Sequence, residues 1–189
     1  MANFTAVFDA CVLYPAPLRD LLMSVAMTEQ FRARWTSEIH DEWVRNLLMN
    51  RKDLTEEQLQ RTVELMNQAI PDCLVENYEG CIDSLELPDP NDRHVLAAAI
   101  KCQADVIVTN NLKDFPKATL AKYEIDAQSP DIFLSHLFDL SPTAFYGAVR
   151  QQRERLKNPN HTAEELLNIF YNQGLPITVN KLKEAIELI

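Results

Sequence analysis

The sequence has 189 residues, 47% of them hydrophobic, and a formal net charge of −10. That length gives room for one sizeable core with a small appendage, and the apolar fraction excludes a disordered chain. No apolar run reaches about 18 residues, which excludes a membrane-spanning helix. Met1-Ala2-Asn3-Phe4-Thr5 has no basic stretch followed by an apolar one, so a cytoplasmic address is expected rather than a secretory leader.

In chain order, Thr5-Ala6-Val7-Phe8 is apolar and β-prone and reads as a buried first strand that closes on Asp9. Pro15 and Pro17 suit the start of a helix carrying Leu18–Ala26. Phe31 to Trp35 reads as a second strand. Thr36 or Ser37 then caps a helix with apolar positions at Ile39, Trp43, Val44, Leu47 and Leu48. A further helix is expected from about Thr55 to Ile70, stopped by Pro71, and Cys73-Leu74-Val75 reads as a short strand. Residues 78–87 give no clear pattern. Asp89-Pro90-Asn91-Asp92 is a helix start, with Asp89 as N-cap and Pro90 at the first position, leading into Val95–Ile100. Asp105–Thr109 is a fully apolar strand that opens into the polar loop Asn110–Asp114.

Strands without alternation, each followed by a helix, predict an α/β fold with a parallel sheet flanked by helices. Ligands of such sheets bind at the carboxyl ends of the strands. Asp9 ends one strand and Asp114 follows another, so both are expected at the same edge. After Ser129 the pattern becomes helical: Pro130–Leu140, Pro142 to about Lys157, Ala163–Tyr171 and Thr178–Ile189. Residues 1–140 carry 12 basic and 23 acidic side chains, whereas 141–189 carry 6 and 5. Pattern and charge together place a domain boundary near residue 140, with 1–140 as the main domain and 141–189 as a helical extension.

Each acid has an ordinary structural reading. Asp9 serves equally as a helix cap or a ligand. Glu38 and Glu42 share a helix face, where first-turn acids also favour the dipole, but Glu42 borders the apolar side at Trp43. Asp92 sits at a capping position that Asp89 already fills. The cysteines at 11, 73, 81 and 102 lack metal or redox spacing and read as reduced packing residues. His40, His94, His136 and His161 have no zinc-like spacing and read as surface or packing residues.

Four segments taken in order resemble the PIN-domain family, in particular its branch of VapC-like toxin nucleases. Phe8-Asp9-Ala10-Cys11-Val12-Leu13-Tyr14-Pro15 is similar to the family's first motif, and Glu38-Ile39-His40-Asp41-Glu42-Trp43 to its second. Leu87 to Ala99, with Asp92 before an alanine-rich helix, is the most specific. Val108-Thr109-Asn110-Asn111-Leu112-Lys113-Asp114-Phe115 is similar to the last. The match runs over about residues 4–135. The helical tail resembles, less specifically, the C-terminal region of a longer toxin subgroup.

The resemblance implies a PIN-like sheet and a ribonuclease site formed by Asp9, Glu42, Asp92 and Asp114. Asp9, Glu42 and Asp92 would be the core metal ligands, with Asp114 acting through water or a second ion. Asp89, Thr109 and Asn111 would support them, and Asp89 could replace or assist Asp92. Four carboxylates without histidine or cysteine favour Mg²⁺ or Mn²⁺ over zinc. Such a cation activates water for attack on a phosphodiester. The resemblance also implies an RNA substrate, an antitoxin protein that silences the enzyme, and a homodimer.

RNA binding requires positive charge, which this acidic chain lacks overall. Arg150, Arg153 and Lys157, spaced for one helix face, are the first candidates. Arg45, with Arg51 and Lys52, is the second. Two rival functions are a metal-dependent phosphatase and a catalytically degenerate PIN domain serving as a protein-interaction module. A phosphatase of the haloacid-dehalogenase type needs an acid two residues after the first, where this sequence has Cys11.

Overall fold

A computed structural model describes residues 4–189; Met1, Ala2 and Asn3, part of the stretch read above for a leader, lie outside the described residues. Packing divides the chain into two compact units. The first takes the chain up to Tyr14 together with Phe31–Ser129, and the second takes Pro15–Gln30 with Pro130–Ile189.

In the first unit, β1 (Thr5–Phe8) leads into the short helix α1 (Ala10–Leu13). The chain then makes α2 (Ala16–Ala26), which belongs to the second unit, and returns as β2 (Arg32–Arg34). Next come α3 (Ser37–Asn50), α4 (Glu56–Ala69), α5 (Arg93–Lys101), β3 (Val106–Val108), α6 (Lys117–Leu120) and β4 (Asp126–Gln128). The four strands form one parallel sheet in the order β2-β1-β3-β4. Every residue of β1 and β3 is buried, which is why these central strands show no alternation in sequence. A 2.7 Å hydrogen bond from the Thr5 amide to the Asp105 carboxylate joins the start of β1 to the segment entering β3.

From β1 the chain goes first to β2 on one side and later to β3 on the other. The strand order therefore reverses between β1 and β3, and that junction is where open α/β sheets form their ligand crevice. Helix α5 packs on both central strands. Its run of buried alanines, Ala97-Ala98-Ala99, leaves little bulk between helix and sheet.

The two long helices that precede α5, α3 and α4, are well capped. Thr36 accepts from the Ile39 amide at the start of α3, and Thr55 with Gln58 makes a full capping box on α4. The ambiguous segment 78–87 contains a 3-10 helix, Glu79–Ser84. Cys73-Leu74-Val75, expected as a strand, contributes a single parallel bridge from Leu74 to Trp35 and no more. Strand β4 was not anticipated. Its residues are at most half-buried, so no apolar pattern marks it.

The second unit is a helical bundle of α2, α7 (Pro130–Leu140), α8 (Pro142–Arg155), α9 (Ala163–Asn172) and α10 (Pro176–Leu182), followed by a 3-10 segment over Lys183–Leu188. The buried Asp131 of α7 accepts from the amides of Ile177 and Thr178 and so caps α10; a cap is worth about 1 kcal/mol. Packing thus assigns α7 and α2 to the helical unit, whereas the sequence boundary near 140 left both with the first domain. Helix α8 ends at Arg155, short of the expected Lys157. Asn158 precedes Pro159, a position that disfavours helical backbone, and Lys157 lies in the turn bridged to Asn160.

No helix among the described residues is long and apolar enough to cross a membrane.

Candidate functional site

At the β1–β3 junction the first unit opens a cleft of about 610 Å³. Its lining includes Glu38, Asp41, Glu42 and Arg45 from α3, Asp89, Asn91, Asp92 and His94 from the start of α5, and Asn111 and Asp114 from the loop after β3. The topology brings together segments that lie far apart in sequence. The preceding strand explains Asp9: its amide bonds to the Val108 carbonyl at 3.1 Å, which continues the ladder from β1 to β3.

Asp9 is buried, with 3% of its surface exposed. It occupies the N-cap position of α1 but makes no side-chain cap bond, so the capping reading fails for this residue. Its Oδ2 instead accepts from the Thr109 hydroxyl at 2.7 Å and from the Cys11 thiol at 3.1 Å. Burial and the neighbouring Asp9 charge push the Cys11 thiol up to about 12, which keeps it protonated and able to donate. Thr109 is fully buried and also accepts from the Asn111 amide at 2.9 Å. Cys11 is therefore more than a packing residue. All four cysteines are unbridged.

Glu42 is positioned by the rigid seating of α3. Trp43, the next residue, is fully buried and donates from its indole to Nδ1 of His40 at 3.0 Å. His40 must then donate from Nε2 to the Asn67 side-chain oxygen, 3.1 Å away, which also accepts from the Trp35 indole at 2.8 Å. With these indole and imidazole hydrogens satisfied, the apolar side of α3 is fixed and Glu42 is left half-buried at the cleft.

Asp92 is half-buried at the N-cap of α5 and makes no side-chain cap bond there. Asp89 does cap, accepting from the Asn91 amide at 2.9 Å. The Asp92 carboxyl is pushed up to about 6, by burial first and then by the charges of Asp9, Asp89, Asp114 and Glu42. That is the behaviour of carboxylates crowded around one point. Asp114 is half-buried in a 3-10 turn, Leu112–Asp114.

Sequence reasoning set two residues of this cleft aside. His94 is buried, and its Nε2 lies 3.4 Å from Glu42 Oε2 while its Nδ1 lies 3.8 Å from Glu38 Oε2. Burial acts to lower the imidazole, but the bond to Glu42 and the charges of Glu38, Glu42 and Asp9 outweigh it, so the net shift is upward. Glu38 accepts from the Tyr78 hydroxyl at 2.9 Å. Burial and this bond to Glu38 push the phenol up to about 12. The available signal was that His94 sits two residues after Asp92 and that Glu38 sits one turn before Glu42.

The candidate RNA contacts separate. Arg45 is exposed and lines the acid cleft. Arg150, Arg153 and Lys157 belong to the helical unit. There Arg150 pairs with Glu154 at 2.9 Å, Arg153 donates to the His161 carbonyl, and Lys157 lies beyond the helix. The expected single basic face of the three does not form. Arg51 is tied to Asp53 at 2.6 Å.

The charged donors around the cleft are carboxylates, with the one histidine, His94, turned to Glu42 and Glu38, and such a set suits a hard cation. Among the described residues no three His, Cys, Asp or Glu side chains stand together in metal-holding geometry. Mg²⁺ keeps several waters and is held through only one or two carboxylates, so the set fits such an ion without three direct ligands.

Comparison with known proteins gives two family matches, a model described as PIN domain over residues 5–113 and one described as VapC50 C-terminal domain over residues 130–184. The chain is 42% identical over 82 residues to a Mycobacterium tuberculosis protein named "Putative ribonuclease VapC50". That alignment covers 43% of this chain and 48% of the relative, so the chain spans about half the length of the curated protein it matches. No solved structure matches.

Proposed function

This chain belongs to the PIN-domain family and carries the helical region of VapC-like members, and on that premise we propose that it is a divalent-metal-dependent endoribonuclease, the toxin of a type II toxin–antitoxin pair. The observation that carries the reading is Asp92. Its carboxyl lines one cleft with Glu42, Asp89 and Asp114, and burial first, then the charges of Asp9, Asp89, Asp114 and Glu42, push it up to about 6. Such crowding costs stability and is relieved by a cation.

In this reading Asp9, Glu42 and Asp92 would hold Mg²⁺ or Mn²⁺, one or two of them directly and the rest through the ion's waters, and Asp114 would act through water. The ion, when bound, supplies Lewis acidity to the scissile phosphate and to the attacking water. Thr109 and Cys11 orient Asp9 by donating to its Oδ2. Asp89 orders the turn that presents Asp92 by capping Asn91. The bond from the Asn111 amide to the Thr109 hydroxyl draws the Asn111–Asp114 loop against the end of β3. Arg45 meets a phosphate of the RNA at the cleft rim. Water attacks phosphorus, the P–O bond to the leaving ribose oxygen breaks, and that oxygen takes up a proton. An antitoxin protein holds the enzyme inactive, and two copies pair as a dimer.

That no three His, Cys, Asp or Glu side chains among the described residues stand in metal-holding geometry favours a second reading, a degenerate PIN domain used as an interaction module. The two are separated in cells. Induced expression of wild-type protein arrests growth, and Asp9→Ala or Asp92→Ala abolishes the arrest. Arrest that persists unchanged in both variants contradicts the nuclease reading. The phosphatase alternative has no support in the cleft, since Cys11 occupies the position of its second acid and uses its thiol to bond Asp9.

A further inference from the structure

Tyr78, Glu38, His94 and Glu42 form a polar chain, joined between Glu38 and His94 by charge rather than by a hydrogen bond. The Tyr78 hydroxyl donates to Glu38 Oε2 at 2.9 Å. The same Oε2 lies 3.8 Å from His94 Nδ1, and His94 Nε2 lies 3.4 Å from Glu42 Oε2. The imidazole is 93% buried as a side chain, while Glu42 is about one-third exposed. Within the His94–Glu42 pair the histidine is thus the buried partner and the carboxylate the more exposed one.

The two ends of this chain are anchored independently. Tyr78 is buried just before the Glu79–Ser84 3-10 helix, which packs on α5, the helix that carries His94. Glu38 and Glu42 ride on α3, whose opposite side is locked by the Trp43–His40–Asn67 bonds. A buried Nδ1 with no hydrogen-bond partner is costly, and here it faces the Glu38 carboxylate, whose position is held by Tyr78.

We propose that His94 is a positioning residue that fixes the Glu42 carboxylate for the cation, with Glu38 and Tyr78 fixing His94 in turn. This rests on the reading of Glu42 as a metal ligand. Partners that orient a ligating carboxylate change metal affinity by about 10- to 100-fold when removed. Their effect is read in the binding of the ion as well as in turnover.

The test is a titration of the purified full-length protein with Mn²⁺ alone, followed by the electron paramagnetic resonance of free ion. His94→Leu keeps the volume but removes the donor, and about a 10-fold weaker affinity is expected. His94→Gln places an amide nitrogen near the former Nε2 and is expected to stay within about 3-fold of wild type. Circular dichroism confirms that each variant is folded. Tyr78→Phe and Glu38→Gln leave the imidazole in place and serve if His94→Leu does not fold; each is expected to weaken Mn²⁺, by less than the roughly 10-fold expected for His94→Leu. Wild-type affinity in folded His94→Leu, or in both outer variants, overturns the positioning role. So does an equal loss in His94→Leu and His94→Gln, which would mark a packing effect. Wild-type protein that takes up no Mn²⁺ overturns the metal reading itself, a distinct result.

Discussion

Thr109 donates a 2.7 Å hydrogen bond to Asp9 across 100 residues of sequence, in a place where the threonine is fully buried and the aspartate nearly so. It ties the first residue after β1 to the first residue after β3, the two strand ends that flank the switch point.

Thr109→Val keeps the shape and removes the donor. A hydrogen bond to a charged group contributes about 1.5–3 kcal/mol, so denaturant unfolding should show a loss of that size. Thr109→Ser keeps the hydroxyl and should recover most of it. RNA cleavage should fall with Thr109→Val, because Asp9 loses the stronger of its two side-chain donors.

Asp92→Asn should stabilise the metal-free protein while abolishing cleavage. The folded carboxyl titrates near 6, above its ordinary 3.8. An acid with a raised folded value binds its proton more tightly when folded. Its penalty is therefore absent below about pH 4, builds as pH rises through 6, and is complete at pH 7. Two units correspond to about 3 kcal/mol, which solvent screening of this half-exposed group reduces to about 1–2 kcal/mol. Thermal melts in EDTA at pH 7 should place the variant about 2–6 °C above wild type, and the gap should close toward pH 4.

Arg45 and Arg150 should behave differently toward RNA. Arg45 lines the acid cleft, whereas Arg150 is engaged with Glu154. With a fluorescent single-stranded RNA in Ca²⁺, Arg45→Ala should lower the slope of log affinity against log salt by about 0.7, the share of one phosphate contact on a single strand. Arg150→Ala should leave the slope unchanged.

The central strands and the main acid motifs were readable because they depend on local pattern. An unbroken apolar run marks β1 and β3, and the Asp89-Pro90 start marks the entry to α5. Strand β4 was not readable, since Asp126-Ala127-Gln128 is a polar edge with no periodicity. The helical period of α2 declares an apolar face but not what covers it, so its place in the second unit could not be inferred. Glu38 and His94 were hidden for a related reason. Their roles arise from contacts between α3, α5 and Tyr78, and an acid or histidine on a helix looks the same in sequence whether it faces solvent or a carboxylate. Lys157 lies beyond α8 because Pro159 disfavours helical backbone at Asn158, and a spacing rule for one helix face does not register where the helix stops.

The central claim is tested most directly by incubating purified wild-type protein and Asp92→Asn with cellular RNA and Mn²⁺, with and without EDTA, and resolving the products on a gel. Discrete cleavage by wild type that EDTA removes and Asp92→Asn lacks, with the variant's melting temperature at or above that of wild type, is the predicted result. Cleavage that survives EDTA, or that Asp92→Asn performs as well as wild type, would contradict it.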